Sequence, residues 1–400
     1  MNIVLINQFF PPAQAPTGLL LADLAAELAR RGHAVTVLAS AAGYGAASGA
    51  DGGWVPGVRV VRIGPAQRHG TGAAAKLRDY LSFHRGVRAE LTCGALAPEA
   101  LVCMTTPPFI GLQAAQLRKV RGLPYVLWCM DLYPEALAAH GWLRDWNPLR
   151  PLLREFARIE RSRAAAVVAL GPDMAALLAD SGAVGVVEIP VWDTLSAPAA
   201  AAGAARELRH ARGWREDEII LLYSGNMGRA HRAEEFAALA ERLRGATPRC
   251  RFVFSGDGPQ RAEWEGRWGG LFEFMPPVPA DARAAHLLAA DVHLVSQQPE
   301  WRGVVVPSKF QAACALGRPV VFAGPADSAV GVWLKAADAG WIVPPGDGAA
   351  IGAAAEGVRY ARVRQAKGRR ARELGERRFA PADNCDKLAT LVEQVARERT

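Results

Sequence analysis

Short apolar segments alternate with amphipathic segments along nearly the whole chain, and this alternation restricts the possible folds more than any other feature. The first repeat is an apolar run over 2–6, a loop, a helical pattern over 19–31 and a second apolar run over 34–39. Gly32 follows the helical pattern, at the position where a glycine often ends a helix. A strand, a helix and a strand in this order predict a parallel sheet with right-handed crossovers.

The alternation occurs in two series, and an alanine-rich stretch that contains a proline, 196–203, lies between them. We interpret this stretch as a linker. The predicted domains are therefore 1–195 and 196–378, followed by an amphipathic helix within 379–400. A chain of 400 residues is long enough for two domains of ordinary size. The predicted fold class is α/β, with a ligand bound between two domains that each contain a parallel sheet.

Composition and charge narrow the classes of protein to consider. The net charge of +8 comes from dispersed arginines, without a dense basic face or a DNA-reading module, so we expect no nucleic-acid partner. No apolar run approaches the roughly 18 to 20 residues that a membrane-spanning helix needs. We interpret 2–6 as a strand and expect no signal peptide. The six cysteines lack metal-binding spacing, and we expect reduced thiols in the cytoplasm.

The stretch 304–321 contains the first indication of a binding site. Three valines lead to Pro307, Ser308 and Lys309, and a helix of small residues, Gly317 and another apolar strand follow. Ser308 suits the N-cap of this helix, so that Lys309 and the first free N–H groups face one point in space. A cation beside a helix start favours an anion, and phosphate is the first candidate. An ordinary strand–loop–helix connection is the alternative.

Two other features are candidates for function. Asp131 comes directly after the apolar run 125–130, at the edge of a parallel sheet where ligands bind, although an aspartate that stabilises a turn would look the same. The segment 142–163 alternates tryptophan, leucine and phenylalanine with arginine. Such a helix can lie on an anionic membrane surface, or it can cover the protein with its arginines in solvent.

Familiar nucleotide motifs are missing, but five other motifs occur in order. The chain lacks a Gly-x-Gly-x-x-Gly fingerprint and a Gly-x-x-x-x-Gly-Lys phosphate loop, which argues against a dinucleotide oxidoreductase. The five motifs are Asn-Gln-Phe-Phe-Pro-Pro at 7–12 with Gly18 and 30–38, Asp-Leu-Tyr-Pro-Glu at 131–135, Tyr-Ser-Gly-Asn-Met-Gly at 223–228, Gly-Asp-Gly at 256–258 and Pro-Ser-Lys at 307–309. Together they resemble glycosyltransferases of the family 4 type with the GT-B fold, and the motif at 131–135 resembles the bacterial surface-polysaccharide subgroup.

The resemblance implies two Rossmann-like domains whose parallel sheets face a central cleft. It implies that 196–378 binds a nucleotide-diphosphate sugar, with a UDP-sugar favoured, that 1–195 binds the acceptor, and that the last helix crosses back to the first domain. The implied reaction transfers a hexosyl-type sugar, with retention, to a glycan or lipid-linked acceptor in cell-surface polysaccharide biosynthesis. We expect no metal ion or other cofactor. We expect a cytoplasmic enzyme, with peripheral attachment to the inner face of the cell membrane as a further hypothesis.

The resemblance also assigns roles to residues. Gly18, Asp131 and Lys309 are the candidates for catalysis. Without a carboxylate cluster for a metal ion, side-chain cations and main-chain N–H groups must offset the charge of the leaving diphosphate. The candidate donor-binding residues are Gly225, Asn226, Arg229, His231, Gly256, Asp257, Gly258, Ser308, Lys309 and Gln311.

The chain departs from the family at several of these positions. Relatives usually carry two glutamates, separated by seven residues, where Val304 and Ala312 stand here. The second glutamate usually binds the ribose, so that contact is missing or is replaced by Gln311. Asn226 and His231 align with an arginine and a lysine that usually contact the phosphates. Three alternatives therefore stay open: a catalytically silent nucleotide- or glycan-binding subunit, a tailoring glycosyltransferase for a small natural product, and a non-hydrolysing sugar-nucleotide epimerase.

Overall fold

The chain divides into two compact units. The computed structural model describes residues 1–13, 15–41, 54–65, 72–193, 195 and 199–398. The first unit comprises Met1–Pro190 and Ala382–Thr400, and the second comprises Val191–Pro381. Each unit contains one sheet, and the described strands of both sheets pair in parallel. The predicted α/β class with two parallel sheets is therefore confirmed.

The first unit begins with alternating strands and helices, as the sequence predicts. Its strands are β1 (Asn2–Ile6), β2 (Ala34–Ser40), β3 (Val58–Ile63), β4 (Ala100–Met104), β5 (Tyr125–Trp128), β6 (Ala166–Ala169) and β7 (Val186–Glu188). Its helices before the second unit are α1 (Pro16–Arg30), α2 (Ala73–Thr92), α3 (Gly111–Arg121), α4 (Glu135–Ala139), α5 (Leu149–Ser162) and α6 (Pro172–Asp180). The strand order is β3-β2-β1-β4-β5-β6-β7. This order reverses between β1 and β4, so the loops that follow these two strands flank the crevice where parallel sheets bind ligands.

The second unit repeats the same plan. Its strands are β8 (Ile219–Ser224), β9 (Cys250–Ser255), β10 (Phe272–Met275), β11 (Val292–Ser296), β12 (Val320–Ala323) and β13 (Gly340–Val343). Its helices are α7 (Ala199–Ala211), α8 (Glu234–Arg242), α9 (Arg261–Trp268), α10 (Arg283–Leu288), α11 (Lys309–Ala315), α12 (Ala329–Ala337), α13 (Gly348–Arg359) and α14 (Ala361–Arg378). The order β10-β9-β8-β11-β12-β13 reverses between β8 and β11. The loops after β8 and β11 therefore lie side by side.

The last helix, α15 (Pro381–Arg397), packs on the first unit. Its Asn384 amide donates to the main-chain oxygen of Pro190 at 3.0 Å. Oε1 of Glu393 lies 2.8 Å from Nε2 of His33, and both side chains are largely buried. The chain therefore returns to the first unit after it has completed the second.

Two sequence predictions are wrong in the second unit and its approach. Part of the predicted linker is helical, because α7 begins at Ala199 and alanine has the highest helix propensity; residues 196–198 lie outside the described part of the chain. The valines at 304–306 form a loop and not a strand. There the Gln297 amide donates to the main-chain oxygens of Trp301 and Val305, both at 2.9 Å, and fixes the loop.

The basic aromatic segment 142–163 forms a helix only from Leu149 onward. Helix α5 begins at Leu149, directly after Pro148, and the Asn147 side-chain oxygen accepts a hydrogen bond from the Leu149 N–H at 2.9 Å. Trp142 and Trp146 precede the helix and are 66% and 77% exposed. Two exposed indoles and an arginine-rich helix therefore lie next to each other on the first unit.

Candidate functional site

Three loops at the carboxyl ends of neighbouring strands form the candidate site of the second unit. We call them the β8 loop (225–233), the β9 loop (256–260) and the β11 loop (297–308). Parallel strands bring these loops to one edge of the sheet, although they are far apart in the sequence. Lys309 begins α11 directly after the β11 loop.

Lys309 contacts the β8 loop. Its Nζ lies 3.0 Å from Nε2 of His231 and 3.3 Å from the main-chain oxygen of Asn226. Nδ1 of His231 lies 2.7 Å from the main-chain oxygen of Ser296, which can only accept a hydrogen bond. The His231 proton is therefore on Nδ1, and Nε2 accepts from the Lys309 ammonium. Within the part of the chain that the structure describes, Lys309 forms no ion pair with a carboxylate.

Burial makes the charge on Lys309 unfavourable. It lowers the pKa of Lys309 to about 7, because few water molecules can solvate the ammonium. Burial and the neighbouring Lys309 ammonium lower the pKa of His231 to about 3. His231 is thus neutral near pH 7, whereas Lys309 can gain or lose a proton there. An incoming anion would favour the charged form of Lys309.

The β8 loop is held in place by two side chains for which the sequence predicted no role. The Tyr223 hydroxyl donates to the main-chain oxygen of Asn226 at 2.8 Å, and the Tyr223 ring centre lies 4.8 Å from Lys309 Nζ. The Gln260 amide donates to the main-chain oxygens of Gly228 at 2.6 Å and His231 at 3.1 Å. A loop fixed in this way needs little rearrangement to bind a ligand. Tyr223 is the first residue of the motif at 223–228, and Gln260 follows the motif at 256–258 by two residues, but neither motif revealed these contacts.

The glycines of the β9 loop pack against the β8 loop. A Cβ atom on Gly256 would lie 2.0 Å from the main-chain oxygen of Gly225, and Gly256 has a φ of +141°. A Cβ atom on Gly258 would lie 2.7 Å from the main-chain nitrogen of Met227. That nitrogen donates to the main-chain oxygen of Asp257 at 2.7 Å. Close contact between the β8 and β9 loops thus explains why residues 256 and 258 are glycines. Asp257, between them, is exposed.

The start of α11 differs from the predicted anion site in one respect. Ser308 occupies the N-cap position, but its side chain makes no capping hydrogen bond, because its φ of −64° and ψ of −13° are already helical. Ser308 is exposed, and Gln311 is buried. In the orientation that satisfies it, the Gln311 amide donates to the main-chain oxygens of Pro307 at 3.3 Å and Ser308 at 3.2 Å. α11 has seven residues, so the Lys309 cation contributes more to an anion site than the helix dipole does.

The positions of the two missing glutamates are apolar. Val304 and Ala312 are 4% and 3% exposed. Ala312 belongs to a buried cluster that includes Ile220 and Leu222 of β8 and also Leu316. A carboxylate at 312 would lose much of its hydration there. The Gln311 amide already bonds to the preceding turn. That Gln311 replaces the ribose contact of the missing glutamate stays a prediction.

The other two cations near the β8 loop, Arg229 and Arg232, differ in whether an anionic ligand could contact them. Arg229 is exposed, and the described residues give it no ion pair. Arg232 instead donates two hydrogen bonds of 2.6 Å to the buried Glu235 carboxylate, so its charge is already compensated. Lys309 and Arg229 are therefore the side-chain cations of this site that can meet an anion.

Gly18 and Asp131 belong to the first unit. Gly18 lies within the first turn of α1, and not in the predicted loop before it. A Cβ atom there would lie 3.0 Å from the carbonyl carbon of Phe9, so the chain itself occupies the space beside Gly18. Asp131 follows β5 by three residues and is exposed. The protein around it still removes enough water to raise its pKa to about 6.

The described residues contain neither a membrane-spanning helix nor a cluster of metal ligands. None of the described helices has the length and apolar character needed to cross a membrane. Among the same residues, no group of three histidine, cysteine, aspartate or glutamate side chains could hold a metal ion.

Comparisons with known proteins agree with this architecture. A family model described as a glycosyl transferase 4-like domain matches residues 18–192, and one described as glycosyl transferases group 1 matches residues 218–358. A Pseudomonas aeruginosa protein named "Probable glycosyltransferase WbjE" is 23% identical over 269 residues. That alignment covers 66% of this chain and 66% of the relative.

Solved structures resemble the chain over almost its full length. Sucrose-phosphate synthase from Thermosynechococcus elongatus has a TM-score of 0.76 at 19% identity, and the match covers 98% of both chains. Alr3699/HepE from Anabaena, solved in complex with UDP, has a TM-score of 0.68 at 16% identity. That match covers 98% of this chain and 100% of the other. At such identities the likeness supports the fold alone.

Proposed function

The chain belongs to the family 4 type of glycosyltransferases with the GT-B fold, and we propose that it transfers a sugar from a nucleotide-diphosphate sugar to a glycan or lipid-linked acceptor. The observation that carries this proposal is the contact of Lys309 with His231 and Asn226 at the carboxyl edge of the second sheet. Among the described residues, the Lys309 ammonium has no carboxylate partner, and it lies where the β8 and β11 loops meet. A diphosphate matches such a site in charge.

The leaving diphosphate determines what the site must do. As the bond between the anomeric carbon and the phosphate oxygen breaks, negative charge grows on the diphosphate. Lys309 lies ready to offset that charge, and Arg229 can add a second cation from solvent. His231 stays neutral and holds Lys309 in place through Nε2. We propose a uridine donor because a related structure contains UDP. We also propose retention and metal-independent transfer, on the resemblance to the family.

The first unit is the proposed acceptor unit. Asp131 and Gly18 lie in it, near the carboxyl ends of β5 and β1. With its pKa raised to about 6, the Asp131 carboxylate is more basic than an ordinary aspartate and can accept a hydrogen bond or a proton from an acceptor hydroxyl. The motif at 131–135 supports a role in cell-surface polysaccharide biosynthesis.

A screen for the donor tests the proposed function. First, the melting temperature of the purified protein is measured with a series of nucleotide-sugars. Second, the release of nucleoside diphosphate is quantified with lipid-linked, glycan and small natural-product acceptors. The second measurement is made with and without EDTA. We expect one donor to stabilise the native protein and to be consumed, equally well with EDTA. Binding without consumption would support a silent subunit, and turnover of a small natural product alone would support a tailoring enzyme. If no nucleotide-sugar binds, the proposal is wrong.

A peripheral position on an anionic membrane is proposed for the first unit. Trp142, Trp146 and Leu149 are 66%, 77% and 56% exposed beside the arginines of α5. Such a combination inserts aromatic rings at the lipid interface while arginines contact phosphate headgroups. We expect the double variant Trp142→Ser, Trp146→Ser to reduce sedimentation with vesicles that contain phosphatidylglycerol by roughly tenfold.

Trp54 offers a matched control for this measurement. It is also an exposed tryptophan of the first unit, at 59%. The variant Trp54→Ser is expected to sediment like the unmodified protein. Equal sedimentation of all three proteins, or none with any of them, would contradict membrane attachment through this region.

A further inference from the structure

A second charged cavity lies at the opposite edge of the second sheet. Its volume is about 370 Å³, and its walls come from the residues that lead into β11 and β12 and from α14. Asp291 directly precedes β11, and Pro319 directly precedes β12. The cavity is therefore at the amino ends of these strands, whereas the β8, β9 and β11 loops are at the carboxyl ends.

Four arginines and one aspartate are the charged residues that line this cavity. They are Arg318, Arg364, Arg369, Arg372 and Asp291. The aspartate is already in use: it pairs with Arg209 at 3.1 Å and accepts from the Ile220 N–H at 2.8 Å. The lining therefore carries a large excess of positive charge.

Main-chain groups hold two of these guanidinium groups in place. Arg318 donates to the main-chain oxygen of Leu288 at 2.7 Å, and Arg372 donates to that of Leu316 at 3.1 Å. A Cβ atom on Gly317 would lie 2.9 Å from the Arg372 guanidinium, so the absence of a side chain at 317 makes room for it. The arginines are thus positioned at the cavity before any ligand arrives.

The positive charge in the cavity is poorly compensated by the protein. Nε of Arg318 is buried, and no described residue accepts a hydrogen bond from it. Burial also lowers the pKa of Arg318 and Arg364. Taking cations from water without pairing them is unfavourable, and an external anion would remove that cost.

We propose that this cavity binds a small molecule with a multiply charged phosphate group. Arginine suits this ligand because its planar N–H groups match the oxygens of phosphate. A volume of about 370 Å³ exceeds that of a single phosphate and suits a phosphate ester or a diphosphate. The site is separate from the proposed donor site, so the two can fail or succeed independently.

Pyrophosphate is the probe, and the Lys309→Met background removes the cation of the proposed donor site. Binding of pyrophosphate is measured by calorimetry at low salt for the Lys309→Met protein. It is measured again for the cavity variant, which carries Arg364→Gln and Arg369→Gln in the same background. The control carries Arg362→Gln and Arg377→Gln, two exposed arginines of α14 that do not line the cavity. We expect the cavity variant to bind at least roughly tenfold more weakly, and the control to lose little.

Thermal unfolding without pyrophosphate checks that the variants fold. We expect the cavity variant to melt at the same temperature as the control or higher, because it loses repulsion between like charges.

A parallel experiment with phosphatidic acid vesicles offers the same phosphate chemistry on a lipid. Vesicle binding that needs Arg364 and Arg369, without pyrophosphate binding, would assign the phosphate to a lipid headgroup. Equal affinities of cavity and control variants for both probes, or no binding at all, would overturn the proposal.

Discussion

Replacing Lys309 with alanine is expected to lower kcat/KM for donor consumption by roughly 100- to 1,000-fold. The ammonium is a half-buried cation at the junction of the β8 and β11 loops, and the described residues leave it without a carboxylate. Its interaction with the leaving diphosphate strengthens as charge develops in the transition state, so kcat should fall along with affinity. The measurement is nucleoside diphosphate release under steady-state conditions.

Lys335→Ala is the matched control, because Lys335 is an exposed lysine of the same unit on α12. It should retain full activity. Lys309→Ala should melt no lower than the unmodified protein, since burial already disfavours the Lys309 charge in the native state. Full activity of a folded Lys309→Ala variant would rule out the proposed role of this side chain.

Gly256→Ala is expected to destabilise the second unit by at least about 3 kcal/mol. The added methyl carbon would lie 2.0 Å from the main-chain oxygen of Gly225, and a φ of +141° is strained for alanine. Both groups are backbone, so a side-chain rotation cannot relieve the clash. The β8 loop must move, and the site at Lys309 moves with it. Denaturant unfolding of the second unit and donor binding measure the two effects.

Gly266→Ala provides the comparison. Gly266 lies in α9, and a Cβ atom there would meet no atom within 4 Å. Alanine is expected to stabilise this helix by about 0.5 to 1 kcal/mol. If Gly256→Ala were as stable as Gly266→Ala, the close packing of the β8 and β9 loops would be wrong.

The parts of the fold that could be predicted are those that a local pattern determines. Strands such as β4 are buried along their whole length and appear as apolar runs between loops. The helix α15 shows an amphipathic pattern, and its observed bounds fall within the predicted segment. Parallel pairing followed from the repeated strand–helix–strand order, because such crossovers are short and right-handed.

The errors come from segments whose local pattern fits more than one structure. The alanines of α7 suit a linker by composition and a helix by propensity, and packing against α10 selects the helix. Helix α14 was not predicted, because its many arginines hide the few small residues, such as Gly375 beside Cys314, that pack against α11. The valines at 304–306 form a loop, and the main-chain oxygen of Val305 accepts from the Gln297 amide and not from another strand. These outcomes depend on partners distant in the sequence.

In the candidate site, too, some features could be predicted from the sequence and others could not. The motifs and the family resemblance pointed to Lys309, His231 and Asn226, and the structure brings these three together. It also brings Gly225 against Gly256, a contact between loops that no pattern in either loop reveals. Tyr223 and Gln260 support the β8 loop through its main-chain oxygens. Such bonds leave no signature in the sequence, because they depend on where the loop lies and not on its residue types.

Proton uptake on UDP binding tests whether Lys309 receives the diphosphate. Calorimetry at pH 8 in buffers of different ionisation enthalpy gives the number of protons bound with UDP. With a pKa of about 7, most Lys309 side chains are neutral in the free protein at that pH, and a bound diphosphate raises the pKa. The affinity should therefore fall as the pH rises above 7. We predict uptake of nearly one proton, which the Lys309→Met variant abolishes; UDP binding without proton uptake, or uptake unchanged by that substitution, would contradict the account.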